Sequence, residues 1–369
     1  MPLLHQPLPS LEFLDVKFEN PHLFQNSLEL FPKFSPNIRV IYIRTRQAEN
    51  TFNKIEPNYI CRWRNLCSVI CPRVVLDVDA LAHLSRMSAL TRLAFTLSAT
   101  LPPSDSPLFF SNLHDLTLRS KSLDPMSRLL SQTRLPVITN FVAYIDHYPS
   151  RQALSCFLAG VPTSNVGHTI ETLRLTQMVP LSSNVPRPEA PPLGLEDLRP
   201  CMTLSNLRRV ELDIGRNVDL TDSQVLTLAS AWRKLEFLLI NGDWGWNLLS
   251  GITPGGLVQL LQTCRSLKGV ALALDTRSYT ESCQVPASLR LTLPREFWIN
   301  VVDSIIEAES VPTVATFFSG IAPCAESDYL LDAWKGEPME EFPNRQEYAK
   351  RWDDVRCRVM IQTYHLRRR

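Results

Sequence analysis

The chain of 369 residues carries 44% hydrophobic residues, 20% charged residues and a formal net charge of +1. This composition can build a core and excludes an intrinsically disordered chain. The near-neutral charge argues against binding to nucleic acid or to an acidic membrane through a global electrostatic field. No apolar run approaches the roughly 18 residues that a membrane span requires. We therefore expect neither nucleic acid nor a membrane as a partner.

Nine cysteines are scattered along the chain, an odd number with no Cys-x-x-Cys pair. A chain of this length does not need disulfides for stability, so reduced thiols are the better interpretation. The opening residues, MPLLHQPLPSLEFL, hold neither a basic segment nor a continuous apolar run, and they predict no signal peptide. The predicted compartment is cytoplasmic or nuclear.

One spacing of apolar residues, at positions 1, 4 and 6, recurs in chain order. It is found in Leu11-Leu14-Val16, Ile38-Ile41-Ile43, Leu90-Leu93-Phe95, Leu113-Leu116-Leu118, Ile138-Phe141-Ala143, Ile170-Leu173-Leu175, Leu207-Val210-Leu212, Leu235-Leu238-Ile240 and Leu267-Val270-Leu272. A recurrence at a period of about 30 residues indicates a repeat protein. The interval between Ile38 and Leu90 is about two periods, and RVVLDVD at 73–79 is the predicted degenerate unit within it.

Helical patterns lie between these triplets. They are DPMSRLLSQT, SRQALSCFLAGVP, DSQVLTLASA and TPGGLVQLLQTC. The third follows a capping box of Thr221 and Gln224, and the fourth offers Thr253 as N-cap with Pro254 at the first helical position. Each unit therefore reads as strand, loop, helix, loop. Such a unit exposes an apolar face that only a neighbour can cover, so the units are expected to stack.

The last part of the chain departs from the repeat. The Pro-rich stretch 179–194 is predicted to be a loop insertion. After 323 the triplets end, and residues 343–369 place four apolar side chains on one helical face: Tyr348, Trp352, Val355 and Val359. The predicted domains are an irregular repeat domain of about ten repeats over 8–323 and a C-terminal helical cap with a basic tail over 324–369.

The pattern resembles the leucine-rich repeat, in the irregular long form of fungal, basidiomycete-like F-box/leucine-rich-repeat proteins. The resemblance is carried by 220–275, which runs LTDSQVLTLASAWRKLEFLLINGDWGWN to ITPGGLVQLLQTCRSLKGVALALD, and by SVPTVATFFSGIAP at 310–323. It implies an α/β leucine-rich-repeat solenoid (horseshoe) with an inner parallel β-sheet, outer helices and a C-terminal helical cap. The F-box itself is not seen in this chain. A cullin adaptor is therefore expected to bind only if an F-box is supplied upstream.

The sequence also departs from this family. Leucine-rich repeats often place Asn at position 9, where it links successive loops, but here that position never holds Asn. The loops must therefore be satisfied by other groups. In SAWRKLEFLLINGDWGWN (230–247), Asn241 falls at position 7, so it is predicted to line the sheet rather than to act as a ladder residue. Gly242 is predicted to turn the chain out of the strand.

Motifs that carry chemistry are weak. The sequence has no nucleophile elbow, P-loop, zinc-protease or dinucleotide motif, and the spacing of Cys61, Cys67 and Cys71 matches no common zinc knuckle. We predict no catalytic residues, no cofactor and no metal. An enzyme with a loop site near 242–256 is the alternative from another functional class.

The remaining candidate is a surface. Side chains alternate along a strand, so positions 3, 5 and 7 of each unit should line a concave sheet face. Tyr, Phe and Arg are enriched in protein interfaces. The predicted partner-binding residues are Tyr42, Arg44, Arg92, Arg119, Tyr144, Arg174, Arg209 and Phe237. Leu239, Ala271 and Ala273 extend this face, which should be sticky there or be covered by a loop or the C-terminal helix. A solvated face that binds nothing is the alternative.

The predicted function is therefore a non-enzymatic protein-interaction module. The family resemblance implies substrate recognition for a cullin-type ubiquitin ligase through the concave face. A free-standing leucine-rich-repeat scaffold, unrelated to ubiquitin transfer, is the alternative within the same class.

Overall fold

The computed structural model describes residues 8, 10–18, 32–45, 53–54, 60, 62–99, 106–165, 168–178, 191–279, 285, 297–321, 332–333 and 344–367. The chain forms two compact units, Met1–Thr172 and Leu173–Arg369. Both units alternate strands with helices in the leucine-rich-repeat manner, which confirms the predicted fold class. The boundary at 323 remains a prediction. Cys61, Cys324 and residues 179–190 of the Pro-rich loop lie outside the described residues.

The first unit contains strands β1 to β9 and helices α1 to α3. The strands are β1 (Phe13–Phe18), β2 (Val40–Thr45), β3 (Asn53–Lys54), β4 (Ser68–Leu76), β5 (Arg92–Leu97), β6 (Leu108–Phe109), β7 (Asp115–Ser120), β8 (Thr133–Arg134) and β9 (Asn140–Ile145). The helices are α1 (Val78–Ser85), α2 (Leu123–Ser131) and α3 (Arg151–Ser164). The sheet order is β1-β2-β4-β5-β7-β9, all parallel, with β3 beside β4 and a separate β6–β8 pair.

The second unit contains the remaining strands and helices. The strands are β10 (Thr172–Gln177), β11 (Arg209–Asp213), β12 (Phe237–Ile240), β13 (Gly269–Ala271), β14 (Trp298–Val302) and β15 (Asp332–Ala333). The helices are α4 (Leu195–Leu198), α5 (Asp222–Ala231), α6 (Pro254–Thr263), α7 (Val311–Ile321) and α8 (Arg345–Arg367), and 3-10 turns occur at Arg199–Thr203, Thr276–Ser278 and Ala308–Ser310. The strands are neighbours in chain order, and β11 to β15 are parallel.

The predicted triplets set the register in both units. Leu93 pairs with Leu116, which pairs with Phe141, and in the second unit Val210 pairs with Leu238. These side chains are at most 3% exposed, because positions 1, 4 and 6 face the helices. Each triplet therefore covers the apolar face of its neighbour, as stacked repeats require.

The degenerate repeat was predicted at the wrong place in the sequence. The register shows that the missing triplet is Leu66, Val69 and Cys71, since Val69 lies between Ile41 and Leu93. Residues 73–79 form the end of the same strand and the start of α1 instead. The pairing of β4 with β5 shifts between Cys71 and Val75, so one strand carries apolar side chains in two successive phases.

The predicted helices are confirmed, together with their N-terminal caps. The side-chain oxygen of Gln224 accepts a hydrogen bond from the Thr221 N–H at 3.0 Å, which closes the first turn of α5. Thr253 caps α6 through a 3.2 Å bond from the Gly256 N–H to its hydroxyl. Pro254 occupies the first turn, where its missing N–H costs nothing. Capping chemistry therefore fixes where these helices begin.

A carboxylate links the starts of α5 and α6. Asp222, the first residue of α5, accepts hydrogen bonds from the Thr253 N–H at 2.8 Å and from the Thr253 hydroxyl at 2.6 Å. The carboxylate lies directly against Gly256, where any Cβ would overlap it. Any Cβ at 256 would therefore displace the Asp222 carboxylate, while Gly255 has only ordinary contacts.

Gly256→Ala is expected to lower the free energy of unfolding by about 2–3 kcal/mol, because Asp222 must withdraw and lose both bonds to Thr253. Gly255→Ala is the matched control. A Cβ there lies 3.5 Å from the Thr253 hydroxyl, so the change should cost nothing or stabilise the helix slightly. Urea denaturation of both variants measures the difference. Equal stabilities would contradict the steric role of Gly256.

The predicted C-terminal helical cap is confirmed as α8, which packs on α7. Trp352, Val355 and Val359 are buried, and the Trp352 ring meets Phe318 edge-on with centroids 6.0 Å apart. The indole N–H of Trp352 donates to the Ser304 carbonyl at 2.8 Å. The apolar core of α7 is thus covered by this helix. Among the described helices, none combines the length and apolarity needed to cross a bilayer.

Asn241 does not line the sheet as predicted. It is fully buried, and its Oδ1 accepts a hydrogen bond from the Ile214 N–H at 3.0 Å. Its Nδ2 donates to the carbonyls of Arg216 and Gly245. Asn241 therefore links its own loop to the loop of the preceding repeat, which is the ladder role that its sequence position argued against.

The turn after β12 bends at residues other than the predicted one. Positive φ angles occur at Asn241 (52°), Gly245 (77°) and Asn247 (55°), whereas Gly242 has none. A Cβ on Gly245 would lie 2.9 Å from a carboxylate oxygen of Asp303, so this glycine is required for space as well as for backbone conformation. Trp246 is buried beneath the turn, where its indole N–H donates to the Ile240 carbonyl at 2.8 Å.

Candidate protein-binding face

The candidate site is one face of the sheet in each of the two compact units. It is formed by positions 3, 5 and 7 of the repeats and is called here the open face. In β7 and β9 burial alternates residue by residue, with positions 4 and 6 buried and positions 3, 5 and 7 partly exposed. Strand geometry thus presents alternate side chains away from the core, as predicted. Each unit carries its own group of aromatic and charged residues on this face.

In the first unit, the predicted residues Tyr42 and Arg44 lie in one cluster. The Tyr42 ring is 5.5 Å from the ring of Phe13, which is 52% exposed. The Arg44 guanidinium lies 5.8 Å from the Tyr42 ring centroid and pairs with Asp15 at 2.8 Å. Cross-strand pairs of this kind hold large side chains in defined positions on a sheet. The result is an exposed aromatic and arginine surface on β1 and β2.

The other predicted residues of the first unit differ in accessibility. Arg92 is exposed at the start of β5. Arg119 pairs with Asp146 at 3.0 Å, and its side chain is only 13% exposed. Tyr144 is half-buried and is the register partner of Arg119 on β9. Arg119 and Tyr144 are therefore neighbours, but the Arg119 charge is neutralised within the fold.

Arg119→Glu is expected to lower the free energy of unfolding by about 3 kcal/mol, because it removes the partner of Asp146 and brings a second carboxylate beside it. Arg64→Glu makes the same charge change at an exposed residue of this unit and should shift stability by less than about 0.5 kcal/mol. Chemical denaturation compares the two. If Arg119→Glu proved as neutral as the control, Arg119 would be available to a partner after all.

In the second unit, two of the three predicted residues share one carboxylate, and the third packs against one of them. Glu211 pairs with Arg174 at 2.8 Å and with Arg209 at 3.5 Å. The guanidinium of Arg209 also stacks over the Phe237 ring, 4.0 Å from its centroid. Arg174 makes a further bond to the Thr176 hydroxyl at 3.2 Å. The structure therefore brings Arg174, Arg209 and Phe237 together.

The sequence did not reveal Trp298, which belongs to the same row of position 3 residues. Phe237 pairs in register with Gly269, and Gly269 pairs with Trp298. The Trp298 indole covers Gly269 so closely that a Cβ there would overlap the ring. Glu296 occupies position 1 of this repeat, so the repeat lacks the apolar triplet that marks the other repeats. The continuing period of about 30 residues was the available signal.

The predicted exposure of the late repeats is partly corrected. Ala271 and Ala273 are 1% exposed, whereas Phe237 and Leu239 are half-buried. The turn after β12 covers this part, since a Cβ on Gly242 would lie 3.5 Å from the Ala271 side chain. Coverage by a loop is therefore correct for Ala271, whereas Phe237 and Leu239 on β12 and Trp298 on β14 keep part of their apolar surface exposed.

A second charged group borders Arg209 and Phe237. Glu236 pairs with Arg208 at 2.7 Å and with Lys268 at 2.6 Å, and hydrogen bonds from Lys268 and Arg208 hold the pKa of Glu236 below its usual value. Arg208 and Glu236 immediately precede Arg209 and Phe237 in sequence. The edge of β11 to β13 is thereby lined by alternating charges.

A perturbed group, Asp213 at the end of β11, lies beside the loop that raised the enzyme alternative. Burial raises the pKa of Asp213 to about 7, helped by the Asp243 carboxylate. Asp213 also accepts a hydrogen bond from the Asp243 N–H at 3.2 Å, which ties it to the loop backbone. Within the described ranges, no cluster of three or more His, Cys, Asp or Glu residues is placed to hold a metal ion. The non-enzymatic assignment stays a prediction.

Comparison with known proteins gives no family. No family model and no curated protein matches the chain. Among solved structures, it is similar to a chain of the yeast Rad7 and Elc1 complex, with 13% identity, 89% of this chain and 79% of that chain covered, and a TM-score of 0.38. It is also similar to an internalin from Listeria monocytogenes, with 11% identity, coverage of 72% and 81%, and a TM-score of 0.26. Both TM-scores are too low to bear on the function of this chain.

Proposed function

We propose that the chain is a non-enzymatic protein-recognition module whose partner binds the open face. The observation that carries the proposal is the grouping of aromatic rings with arginines on this face in each unit: Phe13, Tyr42 and Arg44 in the first, and Arg209 and Phe237 in the second. Aromatic and arginine side chains dominate the binding energy of protein interfaces.

The geometry of these groups favours an interface over a merely solvated face. The Arg44 and Arg209 guanidiniums are positioned by ion pairs and by ring contacts, so little side-chain entropy is lost when a partner binds. Phe13 exposes half of a large apolar ring, which gains stability when it is covered. Rigid, half-exposed rings beside fixed charges are the anchors that a protein partner uses.

Site-specific photo-crosslinking tests this proposal. A photoreactive phenylalanine analogue is placed separately at Phe13, Phe237 and Phe109, all in the full chain. Phe109 is the matched control, because it is 55% exposed but lies on the small β6–β8 pair. We expect Phe13 or Phe237 to capture a discrete protein that Phe109 does not. Equal labelling at all three positions, or none, would contradict an interface on the open face.

We further propose that the bound protein is a substrate delivered to a cullin-type ubiquitin ligase. This part rests on the resemblance of residues 220–275 to F-box/leucine-rich-repeat proteins. Fusing an F-box ahead of residue 1 should allow the chain to co-purify with a cullin adaptor and should lead to ubiquitination of the captured protein. Capture without ubiquitination in the fused protein would instead favour the free-standing scaffold. Adaptor binding by residues 1–369 alone would contradict the assignment of the adaptor contact to an F-box.

A further inference from the structure

The charged groups on the second unit are arranged asymmetrically with respect to solvent. Two carboxylates, Glu211 and Glu236, are each shared by two cations. The carboxylate side chains are 13% and 17% exposed, whereas the exposed fractions of their cationic partners are 36% and 39% around Glu211 and 44% and 51% around Glu236. The negative charges are therefore largely buried, whereas the positive charges are exposed to solvent.

The two clusters are adjacent and enclose apolar surface. Arg208 and Arg209 are consecutive on one chain segment, as are Glu236 and Phe237. Phe237 and Trp298 are half-buried at the two ends of the row that passes through Gly269, so each keeps part of its ring exposed. We define the cationic patch as six residues: Arg174, Arg208, Arg209, Phe237, Lys268 and Trp298. Every member belongs to the second unit, between β10 and β14.

We propose that the cationic patch binds an acidic segment of the partner protein, rich in Asp and Glu and carrying an apolar side chain that covers Phe237 and Trp298. This inference rests on the proposed function and gives the chemistry of the partner. Charge complementarity is its basis: the four cations are 36–51% exposed, whereas Glu211 and Glu236 are only 13% and 17% exposed, so a partner meets the positive charges first.

The two largely buried carboxylates, Glu211 and Glu236, position the cations of the patch. Glu211 holds Arg174 and Arg209 apart at defined places, and Glu236 does the same for Arg208 and Lys268. The cations are therefore ordered before the partner arrives, which reduces the entropy lost on binding. The ring under Arg209 further limits the motion of this guanidinium. A basic segment would meet like charges, which disfavours it.

Peptide display on the full chain tests the inference. A random peptide library is selected against the wild-type chain and counter-selected against Phe237→Ala, so that only peptides dependent on the patch are kept. An enriched acidic peptide and its counterpart with Lys in place of Glu are then synthesised for fluorescence anisotropy. Binding is measured for Arg209→Glu and for the matched control Arg356→Glu, an exposed arginine on α8. Thermal unfolding of each variant establishes that it is folded.

The expected result is enrichment of acidic peptides with an aromatic or aliphatic residue. Arg209→Glu should weaken their binding at least ~10-fold, and raised salt should weaken it further, since the charges are near solvent. Arg356→Glu should leave binding within ~2-fold of wild type. Equal binding of the Lys counterpart would overturn the inference, as would tighter binding of single-stranded RNA at the patch.

Two other outcomes separate this inference from the proposed function. Neutral or basic peptides that depend on Phe237 would overturn the acidic chemistry but leave protein recognition in place. If no peptide depends on Phe237 and the photo-crosslinker at Phe13 also captures nothing, both fail. If crosslinking succeeds only at Phe13, recognition uses the first unit and the cationic patch is overturned alone.

Discussion

Replacing Asn241 with Ala should lower the free energy of unfolding by about 3–5 kcal/mol. The substitution removes an acceptor for the buried Ile214 N–H and donors for two carbonyls, those of Arg216 and Gly245. A lost hydrogen bond costs about 1 kcal/mol, and a buried group left unsatisfied costs more. Alanine must also adopt the positive φ of 52°, which adds about 1 kcal/mol.

Companion variants separate these contributions. Asn241→Gly loses the same hydrogen bonds but tolerates the backbone angle, so it should be about 1 kcal/mol more stable than Asn241→Ala. Asn206→Ala is the matched control. Asn206 accepts a hydrogen bond from the Lys234 ammonium between exposed side chains, and its loss should cost less than about 0.5 kcal/mol. Chemical denaturation measures all three, and a cost below 1 kcal/mol for Asn241→Ala would refute the loop-linking role.

Asn241 also shows where sequence reasoning stopped being valid. Alternation predicted an outward side chain at position 7, and alternation holds as long as the strand continues. Here β12 ends at Ile240, and the left-handed conformation of Asn241 turns its side chain inward. Asn tolerates this conformation better than most residues, but its presence alone does not say where a strand ends. The repeats and their register followed from apolar spacing, whereas the loop contacts depended on this backbone angle.

Two repeats escaped detection for different reasons. In β4 the triplet Leu66, Val69 and Cys71 is followed by further apolar residues. The apolar spacing therefore fits two phases of the repeat, and the later one, at 73–79, is the wrong one. In the repeat of Trp298, position 1 is not apolar and no triplet exists. Single-residue patterns cannot resolve either case, because the correct phase is set by pairing with neighbouring strands that lie far away in sequence.

The candidate site was predictable only in part. Residue types and strand phase placed Tyr42, Arg209 and Phe237 on the open face. Accessibility was not predictable, because the partners that sink or fix a charge come from neighbouring repeats. The Arg119 side chain, paired with Asp146, is only 13% exposed, whereas the Arg209 side chain, paired with Glu211, is 36% exposed.

The second large effect concerns pH and Asp213. Burial raises the pKa of this carboxyl to about 7 in the folded chain, with the Asp243 carboxylate adding to the effect, against a reference value of 3.8. As pH rises from about 4 to 7, the unfolded chain ionises at this group while the folded chain retains its proton. The folded state then binds more protons, so stability falls across this window. The loss is on the order of 4 kcal/mol, complete above pH 7 and absent below pH 4.

Asp213→Asn should remove this pH dependence. The amide oxygen can still accept from the Asp243 N–H, and the amide group carries no charge that burial penalises. The variant should match wild type near pH 4 and exceed its stability by on the order of 4 kcal/mol at pH 8, measured by urea denaturation across the range. Asp219→Asn is the control at an exposed carboxyl, with no expected gain. A constant difference between Asp213→Asn and wild type at every pH would mean that the carboxyl is already ionised in the fold. Asp213 would then be charged at neutral pH, and the loops after β11 and β12 would accommodate its charge without loss of stability.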